Sequence, residues 1–397
     1  GATCLMRSVL ISSVVPSLTQ VAVRPSKPRT PRAHPTSRQR QLPIALFLSA
    51  AYTCGRLSRP PHWQPPVLPR PSVPRAADIS TMGSGSAETI EVPELCRYLD
   101  DFADIEKEIV NRYEGFIFDM DGVLWEGTEV IAGAREALVR LRAMGKRVFF
   151  CTNNSIFNKK QYVEMFQRRG FDDIAEESIY CAASATANYL QKIGFKGKAY
   201  VIGADAMKEE IRAKGVDVFD NSAHTGQFPL PYDMARVELD ESIRAVVMGF
   251  DHEVNYYKIS YAGMLLNTDP SRLFLVTNKD RHFPANGRRL PGAGTFVSAL
   301  EIVADRPPYI VGKPGPFIIE DICSRFSMPR ESLCMVGDNL FTDIEFGRTA
   351  NIATLMVETG VNSKQQAESP ENASRAPDFI VPSIASFLPG GDLSRGG

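Results

Sequence analysis

Seven short apolar runs punctuate the chain beyond Glu114: Gly115–Phe118, Arg147–Cys151, Ala199–Ile202, Arg244–Met248, Leu273–Val276, Tyr309–Val311 and Leu333–Val336. Between them lie amphipathic stretches such as Ala132–Met144, closed by Gly145, and Lys159–Arg168, with apolar residues at helical spacing. Strands alternating with helices make βαβ units, which assemble into a mainly parallel sheet. The expected fold class is α/β, a Rossmann-like parallel sheet core with helices on both faces. No repeat of solenoid period is present.

The 397 residues exceed one ordinary domain, and 44% hydrophobic content supplies a sizeable core. The formal net charge of −1 conceals two unlike ends. Residues 1–77 hold 11 Arg and Lys, 13 Pro and 9 Ser, with no Asp or Glu. The remainder carries 34 basic against 46 acidic residues, a net −12, which argues against nucleic acid as a partner. Proline at that density removes backbone donors and fixes φ, so no continuous helix or strand is expected there. Arg-rich, Ser-rich and acid-free, the segment has the composition of an organelle transit peptide, the reading preferred over a disordered tail or sequence upstream of a start at Met82. Gly83–Ser86 reads as a flexible junction. The apolar run Pro43–Leu48 falls far short of the ~20 residues that span a bilayer, so no membrane partner is expected. Seven cysteines, at 4, 54, 96, 151, 181, 323 and 334, form no CxxC pair, which disfavours a zinc site or disulfide framework.

Candidate chemistry clusters where apolar strands end, the place where open α/β sheets bind ligands. Phe116-Ile117-Phe118 runs into Asp119-Met120-Asp121-Gly122, two carboxylates entering a glycine turn. One can hold a metal and attack phosphorus while the other faces the leaving group. A calcium loop would need a third acid and a different glycine spacing. Phe149-Phe150-Cys151 leads into Thr152-Asn153-Asn154-Ser155, whose hydroxyl, amides and backbone N–H groups can donate to phosphate oxygens. Val311-Gly312-Lys313-Pro314 places a lysine at a strand end without the spacing of a Walker loop. Met335-Val336-Gly337-Asp338 is followed by Asp343; Asp338 can ligate a metal, and Asp343 can orient its neighbours. Singly, these motifs read as acidic turns, helix caps and a surface lysine.

As an ordered set, DxD, TNN, GKP and GDxxxxD resemble the haloacid dehalogenase-like phosphatases, in the subgroup with a large cap between the second and third motifs. The 159 residues from Asn154 to Lys313 leave room for such a cap. Gly249-Phe250-Asp251, Asn255-Tyr256-Tyr257-Lys258-Ile259, Thr277-Asn278-Lys279-Asp280 and Asn286-Gly287-Arg288 are further similar to phosphoglycolate phosphatases and their p-nitrophenyl- and pyridoxal-phosphatase relatives. The domains expected are a presequence and linker at 1–85, a first core part at 95–196, a smaller inserted α/β cap at 197–305 and a second core part at 306–390.

The resemblance implies that Asp119 is the nucleophile and Asp121 the acid and base. It implies magnesium held by Asp119, the Asp121 backbone carbonyl and Asp338. Thr152, Asn153, Asn154 and Lys313 would hold the phosphate, with Asp343 supporting from behind. Arg281, His282, Arg288 and Arg289 of the cap loop would supply a cation for a small carboxylate. The substrate so implied is 2-phosphoglycolate, the small phosphorylated metabolite of photorespiratory salvage. Pyridoxal phosphate, glycerol phosphate or an aryl phosphate is the alternative within the family. A phosphotransferase and a non-catalytic binding module are the rivals from outside it. The substrate carries with it a chloroplast location, with mitochondrion or cytoplasm as alternatives. Oligomeric state is not legible, although a homodimer through the cap is compatible with the pattern. Asn339 and Phe341 depart from the family, where Arg follows the motif-four Gly-Asp and an acid stands two positions on.

A chain beginning near Ser80 is therefore expected to fold with unchanged kinetics. The removed segment, fused to a fluorescent protein, should carry it into an organelle; a diffuse cytosolic signal would defeat the targeting expectation.

Overall fold

Strands buried on both faces have no polar side, and here Gly115–Phe118 and Leu333–Gly337 are buried at every residue. The computed structural model describes residues 96–285 and 288–390, so the expected presequence and linker lie outside the described residues. The larger sheet has seven strands, in the order 97–98, 379–381, 353–357, 333–337, 115–118, 147–152 and 179–181. Every neighbouring pair is parallel. Phe118 lies opposite both Val336 and Phe150, so the three central strands end at one level. The chain steps outward from 115–118 in one direction and returns at 333–337 to step outward in the other. That reversal opens a crevice between the two strands, the usual ligand position in such sheets.

Five parallel strands make a second sheet, ordered 309–310, 273–276, 243–248, 198–202 and 217–218. Tyr309–Ile310 thus belongs with the inserted strands, although it lies past the expected boundary at Asp305. Backbone hydrogen bonds from Val311 N to Val276 O (2.9 Å) and from Gly312 N to Thr277 O (2.8 Å) continue this pairing. An apolar run in a sequence announces a strand but not the sheet that will take it.

Local chemistry places the helices. Asn158 and Gln161 close a capping box at the start of Lys159–Arg168. Ala134–Ala143 stops just ahead of Gly145, whose φ of 75° is the left-handed value that a glycine adopts without penalty. Two antiparallel hairpins were not foreseen, Trp125–Glu126 with Glu129–Val130 and His282–Ala285 with Arg288–Pro291. Among the described residues, no helix is long and apolar enough to cross a membrane.

The second sheet has its own core, which includes Tyr200, Val246, Met248, Tyr261, Leu265 and Val297. One edge of it holds a buried ion pair, Lys258 Nζ to Asp251 Oδ2 at 2.8 Å, with the two side chains 2% and 7% exposed. Asp251 Oδ1 also accepts the Glu253 N–H at 2.8 Å. Removing one partner strands a buried charge, whereas replacing both with apolar side chains does not. Lys258→Met is therefore expected to destabilise by about 3 kcal/mol in denaturant titration, and Lys258→Met with Asp251→Leu to recover most of that loss.

Candidate active site

Asp119 continues the central strand, its N–H donating to Val336 O at 2.9 Å. The chain then turns sharply. Gly122 sits at φ 82°, and a Cβ there, like one at Gly360, would run into the Asp338 carboxylate. Both glycines thus let backbone close around a buried acid. Thr359 Oγ1 donates to Gly122 O at 2.6 Å and fixes that turn. The turn also carries Trp125, whose Nε1–H donates to Asp121 Oδ1 at 3.0 Å. The Arg169 guanidinium lies 4.7 Å from the centroid of that indole. Sequence reasoning missed Trp125; a Trp four residues after the second acid was its only signal.

Lys313 arrives from the edge of the second sheet and is 2% exposed. Its ammonium donates to Asp119 Oδ1 at 2.7 Å, Asp343 Oδ1 at 2.7 Å and Cys151 O at 3.1 Å. Burial by itself would lower its pKa, but the two carboxylates outweigh that and hold it well above the ordinary lysine value. Asp343 Oδ2 accepts the N–H groups of Asp338 (3.2 Å) and Asn339 (3.1 Å), so this fully buried acid is saturated by protein donors. Asp338 Oδ2 accepts Val361 N–H at 2.7 Å.

One oxygen from each of Asp119, Asp338 and Asp343 lies within 4.8 Å of the others. Asp343 is occupied by Lys313 and two amides, which leaves Asp119 Oδ2 and Asp338 Oδ1 without a protein donor among the described residues. Hard oxygen donors facing one another in a buried pocket fit a divalent cation. Burial pushes the Asp119 carboxyl well above the carboxylate range. Burial, then the Asp343 charge, pushes Asp338 up to about 7. Asp121 reaches solvent at the cleft mouth, yet the protein mass around it also raises its pKa, with the Trp125 hydrogen bond opposing.

Thr152 ends the neighbouring strand, and Asn153 and Asn154 follow it. Thr152 Oγ1 accepts Asn154 N–H at 3.1 Å, and Asn154 Oδ1 accepts Ile156 N–H at 2.8 Å. Asn153 is used differently from the sequence expectation. Its Oδ1 accepts Lys313 N–H at 2.8 Å, and its Nδ2 donates to Lys313 O at 3.0 Å and to the Asp280 carboxylate at 3.1 Å. Both amide hydrogens are thus committed to protein acceptors rather than to a ligand. His282 opens the second hairpin opposite Pro291 and is exposed, as are Arg281, Arg288 and Arg289; no hydrogen bond among the described residues joins His282 to the aspartate cluster. Asn339 Oδ1 caps its own turn by accepting Phe341 N–H at 2.9 Å. Phe341 is exposed, with the Arg375 guanidinium 5.1 Å from its ring centroid.

Fold and site together define a chain with a buried aspartate and lysine cluster at the switch point of a parallel sheet. Residues 116–217 match the family model described as haloacid dehalogenase-like hydrolase, and residues 310–387 match a HAD-hydrolase-like model. The chain is 38% identical to phosphoglycolate phosphatase 1A, chloroplastic, of Arabidopsis thaliana over 288 residues, 71% of this chain and 78% of that protein. It is 35% identical to glycerol-3-phosphate phosphatase of Gallus gallus over 302 residues, 74% of this chain and 96% of that protein. Among solved structures, 4-nitrophenylphosphatase of Thermotoga maritima matches with a TM-score of 0.59 at 28% identity, covering 69% of this chain and 96% of that one. Glycerol phosphate phosphatase of Mycobacterium tuberculosis, in complex with magnesium, matches with a TM-score of 0.59 at 25% identity, covering 70% and 77%. The chain belongs to the haloacid dehalogenase-like hydrolases. Within them it is a phosphoric monoester hydrolase, as its relatives are named.

A carboxyl whose folded pKa lies above its unfolded value stabilises the fold below the unfolded pKa and loses that contribution as pH rises through the folded one. For Asp338 the window runs from about 4, the unfolded value, to about 7. In chelator, Tm is therefore expected to fall as pH rises from about 4 to about 7, and Asp338→Asn to flatten that slope. An unchanged slope in Asp338→Asn, followed by scanning calorimetry, would contradict the assignment.

Proposed function

We propose that this chain is a magnesium-dependent phosphatase that works through an aspartyl-phosphate at Asp119 and takes 2-phosphoglycolate as its substrate. The observation that carries the reading is the Lys313 contact with Asp119 Oδ1, which fixes the carboxylate and leaves Oδ2 open to the crevice. Asp119 Oδ2 attacks phosphorus and the ester P–O bond breaks. The leaving alkoxide takes the proton of Asp121, whose Oδ1 is held by Trp125 and whose Oδ2 would carry that proton. Asp121, now a carboxylate, accepts a proton from the water that attacks the phosphorus of the intermediate, and cleavage of the P–O bond to Asp119 restores the enzyme. Burial supports this role by holding the Asp121 proton more tightly than an ordinary carboxyl would. Magnesium bound by Asp119, Asp338 and the Asp121 carbonyl would supply the positive charge that lets one anion approach another. Thr152 and the Asn153 backbone N–H would serve the phosphoryl oxygens, with the Lys313 ammonium supplying positive charge beside them.

The motifs grip only phosphate, so the alcohol must be chosen by the cap loop that follows Asp280. Arg281, His282, Arg288 and Arg289 on that loop offer cations to a small carboxylate. The likeness to plant phosphoglycolate phosphatases supports this choice. Glycerol 3-phosphate is the second reading, supported by the vertebrate relatives of that name. The acid-free composition of residues 1–77 supports an organelle, and with this substrate the chloroplast.

Asp119→Asn should abolish turnover in a protein that still folds, and chelation should do so reversibly, with magnesium restoring the rate. Phosphate release without an added acceptor separates a hydrolase from a phosphotransferase. The substrate is tested by kcat/KM across 2-phosphoglycolate, glycerol 3-phosphate, pyridoxal phosphate and 4-nitrophenyl phosphate. A rival ester better by more than tenfold, about 1.4 kcal/mol, would remove 2-phosphoglycolate and leave only the phosphatase.

A further inference from the structure

Asn153 stands at a junction that the mechanism above does not use. It lies on the turn after a strand of the larger sheet, and each residue it binds comes from the second sheet's side of the fold. Its amide brackets the Lys313 peptide, with Oδ1 accepting the Lys313 N–H and Nδ2 donating to the Lys313 carbonyl. The second Nδ2 hydrogen reaches the Asp280 carboxylate, at 3.1 Å to one oxygen and 3.3 Å to the other, across 127 residues of sequence. Contact also runs the other way. Asn278 Nδ2 donates to Asn153 O at 2.8 Å, and Asn278 Oδ1 accepts the Asp280 N–H at 3.0 Å. Thr277, the residue before this pair, accepts the Gly312 N–H through its carbonyl. A Cβ at Gly312 would collide with that carbonyl and with Asn153 Oδ1, so the lysine peptide is pressed between the two.

The chemistry of the partners fixes which way round the Asn153 amide sits. Turned over, it would set an N–H against the Lys313 N–H, and an oxygen against both the Lys313 carbonyl and the Asp280 carboxylate. An ionised carboxylate accepts hydrogen bonds and donates none, so Asp280 reinforces the orientation that the Lys313 N–H and carbonyl already require and holds the Asn153 amide in place on the lysine peptide. One covalent step from that peptide is the side chain whose ammonium touches Asp119 and Asp343.

We propose that Asp280 is a positioning residue that, through Asn153, sets the Lys313 backbone and so links the seating of the cap loop to the placement of the lysine on Asp119. The link rests on the phosphatase reading for its kinetic consequence but not for its structural one. Asp280 immediately precedes the loop assigned to the choice of alcohol. A cap loop that is not docked therefore removes the Asn153 acceptor and loosens Lys313, and a docked loop tightens it.

The test uses the full chain with Asp280→Ala and Asp280→Asn, and Glu210→Gln as a control. Glu210 accepts the Lys159 N–H at 3.1 Å, another contact between the two parts that lies outside the bracket. Asp280→Ala is expected to lower kcat for the best ester by about tenfold to a hundredfold, the range that a slightly misplaced group costs, with KM changed far less. Asn at 280 retains an oxygen that accepts from Asn153 and should restore kcat to within about threefold of the parent. Hydrogen exchange, read on peptides covering 148–157 and 308–316, should quicken in Asp280→Ala and not in Glu210→Gln. Should the alanine variant not fold, Asp280→Ser, whose hydroxyl is too short to reach Asn153, takes its place with the same expectations. A lowered Tm with kcat per folded molecule intact would overturn the proposal, as would unchanged exchange at both peptides. If the parent hydrolyses no phosphate ester, the phosphatase reading fails, and the exchange comparison alone decides whether Asp280 holds the lysine peptide.

Discussion

A lysine ammonium buried between two aspartates is the interaction on which the rest of this molecule turns. Lys313 has almost no contact with water, and burial alone would drive off its proton. It stays charged because Asp119 and Asp343 each approach to 2.7 Å and the Cys151 carbonyl takes its third hydrogen. The converse also holds, since two carboxylates this close would repel without the ammonium between them. Asp343 does a second job by accepting the Asp338 and Asn339 amides, which closes the turn that carries both acids. The cluster therefore sets the crevice geometry as well as its charge.

The members of this cluster come from different parts of the fold. Asp119, Asp338 and Asp343 follow the two strands that flank the reversal in the seven-stranded sheet, whereas Lys313 comes from the edge strand of the five-stranded one. An insertion is usually pictured as a lid added to a finished site. Here the inserted sheet delivers the buried lysine itself, and Thr277, Asn278 and Asp280 at the end of its neighbouring strand brace it. Small glycines allow such convergence. Gly122, Gly312 and Gly360 each stand where a Cβ would strike the backbone or carboxylate that the site requires.

Much of this was legible in the sequence. The seven apolar runs all became strands, because a strand buried on both faces must be apolar throughout and short enough to cross a domain. Asp119, Thr152, Lys313 and Asp338 stood out because each follows such a run, and in a parallel sheet all carboxyl ends point the same way. Asn153 was noticed for its amide, yet its partners were not foreseen, since Asp280 lies 127 residues away and nothing in either segment names the other. Trp125 was passed over for a similar reason. A tryptophan near an acid is ordinary, and only the Asp121–Trp125 turn brings the indole N–H to 3.0 Å from the carboxylate.

The sequence by itself determined the α/β class, the order of the motifs and the place of Asp119 at a strand end, because these depend on local periodicity and on which polar residue ends which strand. Tertiary structure alone decided that Tyr309–Ile310 joins the second sheet, that Asn153 binds protein rather than ligand, and that His282 sits on an exposed hairpin. Those outcomes are settled by pairing across long sequence separations. Backbone hydrogen bonds and side-chain amides are the same chemical groups wherever they occur, and only the packing of the whole chain chooses their partners.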